Sequence, residues 1–155
     1  MATLKDAIFG TKYKLLVDNN YERGICTFKS VFWAFRPCIF GFKHYRPVIS
    51  IDATHLYGKY KGNLMIIMAI DANNKIHPLA FVIVKSESTE TRGWFLVCIR
   101  RYVTNRSDLC VISNRHPGIP AVFRDTSRDF LQPPMTEHRY CLRHLCSNVN
   151  TRWNN

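Results

Sequence analysis

The sequence is poor in acid: 11 Asp and Glu stand against 22 Lys and Arg, a formal charge of +11 over 155 residues. That balance disfavours a cationic partner and favours a polyanion, nucleic acid above all, the other reading being a basic surface that serves solubility alone. Long apolar runs are missing too. No stretch approaches the roughly 18 uninterrupted apolar residues of a membrane span, and the opening "MATLKDAIFGTKYK" has no apolar signal core. The expectation is therefore an intracellular chain with no membrane span. No CxxC pair occurs among the six cysteines, at 26, 38, 98, 110, 141 and 146, which removes the commonest zinc and redox spacing. In a reducing compartment most of them are expected to be buried small hydrophobes. Nor is there a concentrated basic run that would act as an import signal.

What is present is enough apolar material for one domain, 46% hydrophobic with 13% aromatic. Residues 1–30 read as a weakly organised or helical lead-in, broken at "DNNYERG", and residues 31–155 as the domain proper. In "CTFKSVFWAFRPCIFGFKHYR", residues 26–46, aromatics interleave with Lys and Arg. They suit either a strand-rich layer on a core or a base-stacking surface, and the core is favoured.

From Val48 onward the pattern sharpens. "VISID", "NLMIIMAID" and "IHPLAFVIV" read as three buried strands, the last two joined by the turn "ANNK", where Asn tolerates positive φ. "STETRGWFLVCIRRYVT" places a Ser/Thr cap ahead of apolar residues at 94, 95, 98, 99, 102 and 103, the spacing of a core-facing helix. "LCVIS" then reads as a buried parallel strand reached by a helical crossover. "TSRDFLQPPMTEHR" reads as an irregular connection, and "YCLRHLCSNVNTRW" as a final helix.

The resulting α/β order, β-β-β-α-β with helices packed on a mixed sheet, resembles the ribonuclease-H-like nucleotidyl-transfer fold. In that fold the first and fourth strands lie side by side, so residues leaving their ends meet. Here those residues are Asp52 and Asn114. Two-metal phosphoryl transfer needs several carboxylates, because two divalent cations close together repel and their charge must be offset. Asp52 supplies one. Asn114 is isosteric with Asp but brings no charge.

The block "RPVISIDATHLYGKYKGNLMIIMAIDANNKIHPLAFVIVKSESTETRGWFLVCIRRYV", with "FWAFRPCIFGFKHYRPVIS" overlapping its start, resembles the transposase domain of plant Mutator-like elements, the MULE or MuDR-type transposases. The resemblance implies a DDE transposase using Mg²⁺ or Mn²⁺, with a first Asp on the first strand, a second in a Ser-Asp-Arg-His motif and a Glu on a later helix. A Cys-x-x-His motif lies between the second and third acids. Asp52 matches the first acid, while Cys141 and His144 in "YCLRHL" match the Cys-x-x-His. The second motif stands as "SNRH", with Asn114 in place of the acid, and the Glu-bearing helix is expected beyond Asn155. Ala53 stands where the family usually has Gly, and Arg92 where it usually has Trp.

These departures imply a catalytically inactive remnant with no metal bound productively, incomplete at its C-terminal end. The alternatives are a non-catalytic DNA-binding module, a domesticated transcription regulator, or a truncated gene product. DNA is the expected partner and the nucleus the expected location. Lys59, Lys61, Arg115 and His116 are the candidate DNA contacts, and His55 and Tyr57 either contact DNA or stabilise the hairpin. Cys141 and His144 share one helical face with Cys146 nearby, yet zinc wants four ligands, so a zinc-like site and plain packing both stay open.

Overall fold

The computed structural model describes residues 9–20, 24–114, 122, 137–144 and 146. Its elements in chain order are β1 (Lys12–Asn20), β2 (Ile25–Ala34), α1 (Arg36–Gly41), a single 3-10 turn (Phe42–His44), β3 (Val48–Leu56), β4 (Gly62–Ile70), β5 (Ile76–Val84), α2 (Thr89–Tyr102), β6 (Cys110–Ser113) and β7 (Glu137–Tyr140). The seven strands form one sheet in the order β1-β2-β5-β4-β3-β6-β7.

The expected meander is there: β3, β4 and β5 pair antiparallel in succession. Its second turn is held by Asp71, whose Oδ1 accepts from the backbone N–H groups of Asn73 and Lys75 at 2.8 and 2.9 Å. Asn74 takes φ of 62°, the left-handed conformation that Asn tolerates. Backbone donation from Lys75, and then the bond to His77, hold the Asp71 carboxyl below the usual carboxylate range.

Helix α2 is the crossover that lets β6 lie parallel to β3. Ser88 caps it: its side chain accepts from the Thr91 N–H while the Thr91 hydroxyl accepts from the Ser88 N–H, a reciprocal box that satisfies two otherwise unpaired donors. The buried side of α2 carries Phe95, Leu96, Cys98 and Ile99. These meet the inward residues of the strands, among them Phe32, Ile49, Ile51, Met65, Ile67, Val82, Val84 and Val111, in one core cluster. Phe32 packs edge-on to Phe95, with ring centroids 6.2 Å apart. Along β4 burial alternates residue by residue, so Leu64, Ile66, Met68 and Ile70 on the opposite face are only half covered.

Three expectations are corrected. Residues 12–20 and 25–30 are not a loose or helical lead-in: β1 and β2 pair antiparallel, and β2 joins the sheet through β5. Residues 137–139, expected to be irregular, and Tyr140, expected to open the final helix, form the edge strand β7, parallel to β6. Of the cysteines, all free, only Cys98 is buried, and burial pushes its thiol up to about 12; Cys26 and Cys146 are exposed and the other three half-buried. The expectation that most are buried fails at Cys26 because β2 starts as an exposed strand, and at Cys141 and Cys146 because they follow the edge strand β7.

The aromatic stretch mostly serves the core, as favoured: Phe32 and Phe42 are buried and Trp33 stacks on Phe81 at 5.4 Å, while Phe28 and Phe40 stay exposed. Of the expected final helix over 140–153, the described residues Leu142, Arg143, His144 and Cys146 are helical, whereas Tyr140 ends β7 and Cys141 is in neither element.

Candidate functional site

The site is built by strand register. In the β3/β6 pair Ile51 lies opposite Ser113, and in the β6/β7 pair Ser113 lies opposite Tyr140. One step further along three parallel strands come Asp52, Asn114 and Cys141, which therefore stand in one row across neighbouring chain segments. Neighbouring strands are about 4.8 Å apart. The row is tied together: the Cys141 N–H donates to the Ser113 carbonyl at 2.7 Å, continuing the ladder past β7. The buried Ser113 hydroxyl donates to the Asn114 carbonyl at 2.9 Å. Having one proton to give, that hydroxyl is left to accept from His138 Nε2 at 2.8 Å. Burial, with a smaller contribution from the Arg139 cation, holds the His138 imidazole below its ordinary pKa.

The Asp52 carboxylate is 42% exposed and accepts from the Ala53 N–H at 2.9 Å. Its second neighbour comes from the far end of the chain: His144 Nε2 lies 3.6 Å from Asp52 Oδ1. His144 Nδ1 is buried and has no hydrogen-bond partner among the described residues. Cys141 thus joins the ladder through its backbone, and the His144 ring lies against the acid. Among the described residues no three His, Cys, Asp or Glu side chains converge as a ligand set. One carboxylate, a neutral amide and an imidazole do not fit a pair of divalent cations, which need clustered negative charge and hard oxygen donors.

Of the other candidates, Lys59 and Lys61 are exposed in the tip between β3 and β4, beyond the acid. His55 braces that hairpin, its Nδ1 lying 2.8 Å from Asn63 Oδ1 across the strand pair, whereas Tyr57 is 90% exposed. Arg115 and His116 lie outside the described residues. Sequence reasoning missed His138 and the contact between His144 and Asp52, since spacing along the chain carries no signal for a pair brought together by the sheet. It also passed over Tyr60, whose partner in exposure, Tyr57, was the available cue.

Arg92, in the helix that covers the core, is 1% exposed and forms an ion pair with Glu87, while its Nε has no hydrogen-bond partner among the described residues. Burial pulls its guanidinium below the ordinary value and Glu87 opposes that shift.

The seven-strand mixed sheet with α2 packed on it defines an α/β domain in which Asp52 and Asn114 stand at the ends of two adjacent parallel strands. The model of the MULE transposase domain family matches residues 48–148, well over half of the chain, and the chain belongs to that family. No curated protein matches it. No helix among the described residues is long and apolar enough to cross a membrane.

Proposed function

We propose that this chain is a transposon-derived, DDE-type transposase domain of ribonuclease-H-like architecture, related to the Mutator-like elements of plants, that engages DNA in the nucleus without cutting it. The observation that carries the reading is the parallel register of β3 and β6, which sets Asn114 beside Asp52 where a second carboxylate would complete the acid pair. The directions of β5-β4-β3-β6-β7, a meander followed by two parallel strands, support the architecture. The charge of +11 supports the partner. Losing an acid removes negative charge from the surface that meets phosphate, so the same substitution that disarms cleavage favours binding. A regulator retained for DNA binding alone follows from the same two features.

The test is a strand-cleavage and strand-joining assay on duplex DNA with Mg²⁺ or Mn²⁺, run beside a binding isotherm at several salt concentrations. The expected result is no product and a binding constant that falls steeply with salt. Cleavage that Asp52→Ala abolishes would overturn the inactive reading, and undetectable or salt-independent binding would overturn the DNA reading.

A further inference from the structure

The tip of the β3–β4 hairpin, Tyr57 to Lys61, is an unusual surface. Tyr57 and Tyr60 are 90% and 80% exposed, so neither ring serves the core. Cations alternate with them: Lys59 Nζ lies 5.5 Å above the Tyr60 ring, and Lys61 is exposed beside it. Gly58 takes φ of +127°, a conformation other residues rarely adopt, and lets the chain turn between the two rings.

The foot of the tip is fixed. Any side chain at Gly62 would place its Cβ 2.6 Å from the Val84 carbonyl oxygen, so β4 approaches β5 closely here. The contact between His55 and Asn63 closes the other side. Below the tip lies a hollow of about 670 Å³ whose lining includes His55, Tyr57, Lys61, Asn63, Lys85 and Glu87. That volume falls within the range of small-ligand sites. The one acid in it, Glu87, is already offset by Arg92.

Resting on the DNA reading above, the geometry points to the tip as a stacking element for unpaired nucleotides of DNA. The two tyrosine faces take bases, Lys59, Lys61 and Lys85 take the phosphates, and the hollow takes one extruded nucleotide. Duplex DNA hides its base faces, so two solvated rings interleaved with lysines match a single strand or a frayed end. The tip lies about 16 Å along the strand from Asp52, about five base-pair steps. It therefore reads DNA beside the acid and not at it.

The test is fluorescence anisotropy of the full chain with a blunt duplex and with the same duplex carrying a single-stranded tail. The wild type is expected to prefer the tailed DNA. Tyr57→Ala and Tyr60→Ala should each weaken tailed binding about tenfold, one stacked base, with blunt binding unchanged. Tyr57→Trp should retain it. Circular dichroism melts should coincide, because both rings are solvated. Equal affinity for the two DNAs, equal losses on both, or no loss on the tailed one overturns the stacking role while leaving the DNA reading standing. Absence of binding to either DNA overturns both.

Discussion

Replacing Asn114 by Asp should lower the melting temperature by about 3 °C in the absence of divalent metal and make it metal-dependent. Asp52 and Asn114 stand one step beyond the paired residues Ile51 and Ser113 on adjacent parallel strands, so a new carboxylate would sit about 5–6 Å from the old one. Two unit charges at that separation repel by about 1–3 kcal/mol as the effective dielectric constant runs from about 80 down to about 20. The Asp52 side chain is 42% exposed, which puts the cost near the lower end, about 1 kcal/mol. For a chain of this size each kcal/mol moves the midpoint by about 2–4 °C. A divalent cation that bridges the two carboxylates, at tenfold excess over its dissociation constant, returns about 1.4 kcal/mol and more than restores the midpoint. Differential scanning calorimetry of the wild type, Asn114→Asp and the double variant with Asp52→Ala, each with and without Mg²⁺, reads all of this. A midpoint in Asn114→Asp that ignores Mg²⁺, or a metal response that survives Asp52→Ala, would refute the convergence of the two positions.

Three further outcomes follow from the packing. Glu87→Ala strands a guanidinium that is 1% exposed and should cost about 3 kcal/mol, whereas adding Arg92→Leu should recover much of it; urea melts of the single and double variants check the pair. Because the pKa of His138 is depressed in the folded chain, its share of stability is present above the unfolded value near 6.5 and lost as pH falls through the lowered one. The midpoint should therefore drop on acidification through that window, and His138→Asn should flatten the drop. Gly62→Ala drives a Cβ to 2.6 Å from the Val84 carbonyl and should destabilise by about 1–3 kcal/mol, read as a lower denaturant midpoint.

The parts of the fold legible in the sequence are those whose burial is periodic. The meander shows because β3, β4 and β5 bury alternate residues against α2, and α2 shows because Ser88 caps an apolar stripe. The β1 strand hides because its described side chains are exposed or half-buried, leaving no apolar alternation to read. β7 is four polar residues whose place is set by backbone pairing to β6. Both outer strands are specified by the edges they extend, and such partners lie far away in sequence. Within the site, Asp52 and Asn114 were legible because the β-β-β-α-β order resembles a fold whose first and fourth strands lie side by side, as β3 and β6 do here. The proximity of His144 to Asp52 was not, since helical spacing says which residues share a face and nothing about what the face meets.

That proximity changes what the Cys-x-x-His pattern means in this chain. The two residues of the pattern meet different parts of the site. The Cys141 backbone extends the hydrogen-bond ladder from Ser113, and the His144 ring lies 3.6 Å from Asp52. Ladder and ring together make the segment a spacer: the strand sets where the helix begins, and one helical turn carries the imidazole back over the acid. His144 and Asn114 are thereby both brought to Asp52, one by a helical turn and the other by strand register, at the ends of β3, β6 and β7.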